Sequence, residues 1–364
     1  MRQLLVITAI FGLGATQMGF AHEPKQGNGD RVVRVMTRNV YHGVANELAV
    51  VSGATSFPDF MAKAAAVYQG YHARKFDERA AALAAEIDAA RPDFIGLQEA
   101  VLIRTQSPAD GPATPATTVD LDFVEILLDA LAARGLRYEI VVQAAGWDIE
   151  VPTALGFDLR HTDREVILGR AGKGADLEWS NAQGGNFVTN CALPTAVLGP
   201  ITIRRSWVSV DARVKGEEFR MVSTHLDGDC LSVTPAFQRA QAKELLAGPA
   251  ATDLPLLLIG DLNSPGDGTG VTYNDLMSAG FSDAWTEAGS GPDLTCCEAG
   301  DLLNAASALN RRIDFVLFRG EFTALTTYLV GNDSSDKTPS GMWPSDHAGV
   351  VALMKVPKVR HGRR

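Results

Sequence analysis

Cysteine is scarce, positive charge is not in surplus, and beyond the first residues no long apolar run occurs; each shortage excludes something. Lys and Arg number 33 against 43 Asp and Glu, a formal net charge of −10, which argues against a protein that coats nucleic acid through a broad basic surface. A local cationic cleft remains compatible with that balance. The four cysteines, Cys191, Cys230, Cys296 and Cys297, form no C-x-x-C zinc pattern and suit an oxidising compartment, where several pairings are conceivable. Adjacent Cys296 and Cys297 are not expected to bridge to each other, because that requires backbone distortion; each is expected to bond elsewhere or to stay buried and free. After the N-terminal stretch no segment reaches the roughly 20 consecutive apolar residues that a membrane span needs. No internal repeat and no linker divides the chain.

What is present begins with "MRQLLVITAIFGLGATQMGFAHEP", one arginine and an apolar stretch closing on Gly19-Phe20-Ala21, with small residues where a signal peptidase inspects the chain. Residues 1–21 are therefore expected to be a secretory signal, and the mature protein to be soluble, secreted or periplasmic, and without a transmembrane segment. With 46% hydrophobic and 21% charged residues the composition is that of a folded globular protein. One domain is expected over 31–356, followed by a flexible basic tail at 357–364.

Six apolar runs deliver polar groups. In "RVVRVMTRNV" the residues Val33, Val35, Thr37 and Asn39 share a face, with Asn39 at its far end. "PDFIGLQEA" closes on Gln98 and Glu99, and "FRMVSTHLDGD" alternates Phe219, Met221, Ser223 and His225 on one face. "LPLLLIGDLNSPG" is apolar on both faces through Ile259, as a covered central strand should be, then supplies Asp261 and Asn263. "RRIDFVLFRG" carries Asp314 near its start, and "WPSDHAGVV" sets Asp346 beside His347 just ahead of its apolar run. Neighbours on a strand point to opposite faces, so that last pair can serve one site only from the loop before it.

Between the runs, "FDERAAALAAEIDAARPD", "DFVEILLDALAARG" and "PAFQRAQAKELLAG" read as helices, the first ending before Pro92 and the second capped by Gly135. "RTQSPADGPATPATTVD" reads as a surface loop. Taken singly, each polar group has a structural explanation. Asp261 to Asn263 could be an Asx turn, His225 a histidine tied to a backbone carbonyl, and Asp314 an ion-pair partner of Arg311 or Arg312. All six together are not explained that way.

In order and context "RNV", "LQEA", "STHL", "GDLNSP", "RRIDFVL" and "SDHAGVV" resemble the successive motifs of the endonuclease/exonuclease/phosphatase superfamily, over about Arg31 to Leu353. That superfamily includes pancreatic-type deoxyribonucleases, apurinic endonucleases, neutral sphingomyelinases and inositol polyphosphate phosphatases. The resemblance implies a deoxyribonuclease I-like α/β fold: a four-layer α-β-β-α sandwich of two packed mixed sheets, with the site where strand ends meet. It also implies a metal-dependent phosphoric ester hydrolase.

The oxygen-rich set Asn39, Glu99 and Asp346 suits a hard cation, Mg²⁺ or else Mn²⁺ or Ca²⁺. His347 is the candidate general base, because imidazole titrates near neutrality. By the resemblance, Asp314 would hold its other nitrogen, Asp261 would position the attacking water, Asn263 would donate to the phosphate, and His225 would stabilise the phosphate or protonate the leaving oxygen. Arg160, His161, Arg164, Arg204 and Arg205 are candidate phosphate contacts. The stretch from Trp147 to Asn186, with Trp179 and Phe187, is expected to wall the cleft. In "HTDREVILGR", Arg164 and Glu165 depart from the family's D-x-x-A-I-L-S-R strand.

A monomeric phosphodiesterase acting on nucleic acid or a phospholipid head group is the expected function. The alternatives are a phosphomonoesterase of the same fold, and a non-catalytic binding protein that kept the fold. The latter should lack a ligand or a base, and none is missing.

Overall fold

The computed structural model describes residues 31–45, 47–172, 177–228 and 235–358. The expected leader, Cys230 and residues 359–364 of the basic tail lie outside these. From Arg31 onward the chain packs as one unit. Its elements run β1 (Val32–Asn39), α1 (Glu47–Ser52), α2 (Phe57–Ala73), α3 (Phe76–Ala90), β2 (Phe94–Gln98), β3 (Leu102–Gln106), β4 (Thr118–Asp122), α4 (Phe123–Ala133), β5 (Tyr138–Pro152) and β6 (Asp158–Arg170). They continue with β7 (Leu177–Asn186), β8 (Cys191–Leu193), β9 (Ile201–Ile203), β10 (Ser206–Val214), β11 (Glu217–His225), α5 (Ala236–Ala247) and β12 (Leu256–Asp261). The last are α6 (Val271–Ser278), β13 (Ser282–Asp283), α7 (Ala284–Ala288), β14 (Asp314–Arg319), β15 (Thr323–Val330) and β16 (Gly349–Lys355).

The strands form an eight-stranded mixed sheet, ordered β15-β16-β1-β2-β6-β3-β4 with β5 on β6, and a six-stranded mixed sheet, ordered β13-β14-β12-β11-β10-β7. Three apolar clusters define the layers. Val33, Val35, Phe94, Met221, Ile259, Val316 and Ala352 pack between the two sheets. On the outer face of the larger sheet, Met36, Ile95 and Leu97 meet Phe60, Leu83 and Leu127 of α2, α3 and α4. On the outer face of the smaller one, Val222, Leu258 and Leu317 meet Leu245 of α5 and Leu276 of α6. The result is the expected α-β-β-α sandwich.

Helix ends follow local chemistry. Asp122 caps α4 by accepting from Val124 N–H and Glu125 N–H, and Gly135 at φ +75° closes it. Helix α2 was not anticipated from its sequence, because Pro58 and Gly70 weaken its helical signal. Gly70 is needed there: a Cβ would lie 2.7 Å from Val44 Cγ2. The Pro- and Thr-rich stretch is not wholly loop. Its flanks pair antiparallel as β3 and β4, Leu102 opposite Asp122 and Ile103 opposite Leu121, because alternating Thr and Val positions can join a sheet edge while the prolines stay in the excursion between.

Cys296 and Cys297 are brought side by side across a cis peptide, with their Cα atoms 3.1 Å apart and their sulfurs in contact. Cys191 is disulfide-bonded.

Candidate active site

Strand register decides which side chains meet. Parallel pairing of β1 with β2 sets Asn39 opposite Gln98, and parallel pairing of β11 with β12 sets His225 opposite Asp261. Antiparallel β14 starts where β12 ends, so Asp314 lies opposite Asp261. All belong to the inward faces. Just below them is a small polar layer, where Thr37 Oγ1 donates to Gln98 Oε1 at 3.0 Å and Gln98 Nε2 donates across the interface to Ser223 Oγ at 3.1 Å. Gly96 permits this approach, since a Cβ would lie 2.5 Å from Ser223 Oγ.

Above that layer Asp261 is the hub. Its Oδ2 accepts from Asn39 Nδ2 at 3.2 Å and lies 3.5 Å from His225 Nε2 and 3.8 Å from His347 Nε2. His347 Nδ1 and Asp314 Oδ2 are 2.8 Å apart. Asn263 Nδ2 is 2.9 Å from His225 Nε2, and its backbone N–H donates to Asp261 Oδ1 at 2.8 Å. Asn39 Nδ2 also donates to Glu99 Oε1 at 3.0 Å, while its Oδ1 accepts from Tyr41 N–H. Glu99 and Asp346 are only partly buried, so both remain open to solvent. Tyr41, Glu99 and Asn263 have φ of 56°, 56° and 50°, left-handed conformations that turn the chain out of strand alternation at the point where groups are presented. Asp346 and His347 sit in the lead of β16, before regular pairing begins at Gly349.

Burial opposes charge on His347, but Asp314, Asp346 and Asp261 outweigh it and raise its pKa to about 10. Burial, with Asp314 adding to it, pushes Asp261 up to about 7. Burial and the Glu99 charge push Asp346 up to about 6. Burial also pushes Glu99 up, yet His42, His225, the Asn39 amide and His347 together hold it below the usual carboxylate range. His225 is driven well below the ordinary histidine value by burial first and by the Arg205 cation second.

Several participants had no sequence signal. His42 Nε2 lies 3.2 Å from Glu47 Oε2 and 3.3 Å from Glu99 Oε2. Arg79 is fully buried and donates to the carbonyls of Arg74, Val40, Tyr41 and Pro344, tying together the loops that carry Asn39 and Asp346. Cys297 Sγ is 4.0 Å from His347 Nε2, so the Cys296–Cys297 pair stands beside the candidate base. The candidate phosphate contacts mostly serve elsewhere. Arg160 pairs with Asp148, Arg164 pairs with Asp122, His161 bonds Tyr71, and Arg205 faces His225. Arg204 is exposed. Trp179 and Phe187 pack in apolar clusters instead of walling the cleft, while Trp147 stacks on His161. Glu165, buried beside Asp163, is pushed well above its ordinary pKa by burial.

The pattern of the Endonuclease/Exonuclease/phosphatase family matches residues 39–347, which spans every one of these groups. The chain belongs to that family. Family members are phosphoester hydrolases. A mannosyl-6-phosphatase of Bacteroides thetaiotaomicron is similar in structure at TM-score 0.55 and 15% identity, over 88% of this chain and 99% of that one. A family protein of Beutenbergia cavernae aligns at TM-score 0.54 and 20% identity, over 92% and 74%. D. rerio TDP2, complexed with a single-strand DNA product, aligns at TM-score 0.51 and 15% identity, over 89% and 99%. No curated protein sequence matches the chain. At these identities the structures show a shared fold.

The family generally uses a divalent metal. The donor set fits one. Both Glu99 and Asp346 are partly exposed, and the Glu99 charge raises the cost of ionising Asp346, which a bound cation would relieve. Asn39 Oδ1 accepts one hydrogen bond and keeps a second lone pair. Among the described residues, Asp261, Asp314 and His347 also converge within 4.8 Å, and Asp314 Oδ1 is buried with no hydrogen-bond partner.

Proposed function

We propose that this family member is a secreted, divalent-metal-dependent phosphodiesterase, monomeric, that cleaves its substrate by attack of water on phosphorus. One observation carries this: the Asp314–His347 pair turns its other nitrogen toward Asp261, at 3.8 Å, with the partly exposed carboxylates Glu99 and Asp346 close enough to act on the same groups. Asp314 holds Nδ1, so Nε2 is left to take the proton of a water lying between His347 and Asp261. Asp261 orients that water, and the Asn39 amide keeps the Asp261 and Glu99 carboxylates apart by donating to both.

A divalent cation held by Glu99, Asp346 and Asn39 would neutralise charge on a non-bridging phosphate oxygen and offset the carboxylate field that keeps His347 protonated. Asn263 and His225 face the same space and supply hydrogen bonds to the phosphate. The nucleophile's proton goes to His347, the new bond forms from water oxygen to phosphorus, and the ester oxygen departs. Nucleic acid and phospholipid head groups both meet this chemistry. The similar structures include one named as a phosphatase and one holding a DNA product, so the bond cleaved has to be measured.

The test is release of p-nitrophenol from bis-p-nitrophenyl phosphate and from p-nitrophenyl phosphate, with and without Mg²⁺ or Mn²⁺. Metal-dependent turnover of the diester is expected, with His347→Ala slower by about 10²–10⁴-fold. Faster turnover of the monoester would make the protein a phosphatase. Undiminished turnover by His347→Ala would remove the proposed base.

A further inference from the structure

Both ring nitrogens of His225 face N–H groups. Nδ1 lies 3.0 Å from Nη1 of Arg205, and Nε2 lies 2.9 Å from Nδ2 of Asn263. A neutral imidazole offers one donor and one acceptor, and an imidazolium offers two donors. A guanidinium offers donors only, and it does not lose its proton in a protein. A carboxamide, by contrast, can present either end, and its oxygen and nitrogen are told apart only by their partners. Asn263 Nδ2 also donates to the Leu226 carbonyl at 3.1 Å, a bond its rotation would give up, but a guanidinium cannot become an acceptor at all, so the conflict resolves at Asn263. Arg205 donates to Nδ1, which must be the unprotonated nitrogen, and the single ring proton sits on Nε2.

Arg205 is anchored through its backbone. It lies between β9 and β10, where its backbone N–H donates to Asn190 Oδ1 at 2.9 Å and its carbonyl accepts from Phe187 N–H at 3.0 Å. Asp163 Oδ2 stands 4.0 Å from the same Nη1. The groups that act electrostatically on the His225 ring are Arg205, Glu99, His347 and His42, with Asp261 and Asn263 in contact. Burial and the adjacent cation both oppose a second proton on the ring, in agreement with the hydrogen-bond geometry.

We propose that Arg205 is a positioning residue that locks His225 as the neutral Nε2–H tautomer, so that His225 donates a hydrogen bond within the site and does not protonate the leaving oxygen. The Nε2 proton has Asp261 Oδ2 at 3.5 Å as its acceptor, and the Asn263 oxygen only if that carboxamide turns away from the Leu226 carbonyl. The catalytic half of this proposal rests on the phosphodiesterase reading above; the tautomer does not.

Two measurements test it. The first is the nitrogen spectrum of ¹⁵N-histidine-labelled protein at neutral pH, with the His225 signals assigned by their loss in His225→Gln. The wild type is expected to show an unprotonated Nδ1 and a protonated Nε2. Arg205→Lys, which keeps a charged donor, should hold that pattern, and Arg205→Met should lose it. A wild-type His225 protonated on Nδ1 or on both nitrogens would overturn the proposal, as would an Arg205→Met or Arg205→Lys result opposite to these. The wild-type spectrum decides even if a variant fails to fold.

The second compares methyl p-nitrophenyl phosphate with methyl phenyl phosphate, whose phenolate leaves less readily. His225→Ala should lower kcat on both by the same factor, to within about twofold, with KM little changed, because a hydrogen-bond donor to the phosphate does not discriminate between leaving groups. A loss more than about tenfold greater on the phenyl ester is the signature of a missing general acid and would overturn the proposal. Absence of wild-type turnover on both diesters would count against the phosphodiesterase reading alone, leaving the spectrum to judge Arg205.

Discussion

Glu86→Gln is expected to be among the most destabilising isosteric changes in the protein. Arg38 and Glu86 form a bidentate pair, Nε to Oε2 and Nη2 to Oε1 both at 3.0 Å, with side chains 0% and 4% exposed. From the same guanidinium, Nη1 donates to the carbonyls of His347 and Asn39. The pair therefore ties α3 to the loops that carry the candidate base and the candidate metal ligands. Gln keeps the shape and one acceptor but leaves the arginine charge buried without its counter-charge, which costs about 3–5 kcal/mol. With about 2.1 cal/mol/K of unfolding entropy per residue over roughly 330 residues, that corresponds to a Tm lower by about 4–7 °C. Urea unfolding and a thermal scan would read both numbers. In the double variant Arg38→Met with Glu86→Leu both charges are gone, so most of the stability should return, as it does when buried pairs are replaced by apolar residues. Turnover should not return, because the link to the His347 carbonyl is lost. A Glu86→Gln protein within about 1 kcal/mol of the wild type, or a double variant as unstable as the single, would refute this account of the pair.

Two further outcomes follow from the geometry. Saturating Mg²⁺ or Mn²⁺ at about 100 times its Kd should stabilise the fold by about 2.7 kcal/mol, roughly 4 °C in Tm by the same entropy, and Glu99→Gln with Asp346→Asn should abolish the shift. An unchanged Tm in every divalent cation would leave the metal assignment without support. Gly260→Ala should cost more than about 3 kcal/mol in urea unfolding, since Gly260 has φ +140° and a Cβ there would lie 1.9 Å from Thr224 O, one residue before Asp261. A soluble variant of normal stability would show that the β11–β12 pairing can yield.

The amino-acid sequence by itself determined the inward faces of the strands and the polar groups at their ends. Thr37 and Asn39, Ser223 and His225, or Ile259 and Asp261 are two residues apart, and a period of two is a property of the local backbone. The alternation of apolar runs with helical stretches marked an α/β protein, whereas the four-layer class came from the resemblance of the ordered motifs to the family. The β3–β4 hairpin and α2 were less legible, because prolines and a glycine obscured patterns that packing then enforced.

Only the tertiary structure decided which ends converge. Asp261 meets Asp314 and His225 through strand register, which no single segment contains. It also decided what the charged residues are for. Arg164 looks like a phosphate contact in sequence, yet Asp122 takes it, and Arg205 is turned to face His225 at 3.0 Å. A side chain's type is local, but its partner is chosen by chain segments far apart in sequence, and in a buried cleft it is the partner that settles charge, tautomer and chemistry.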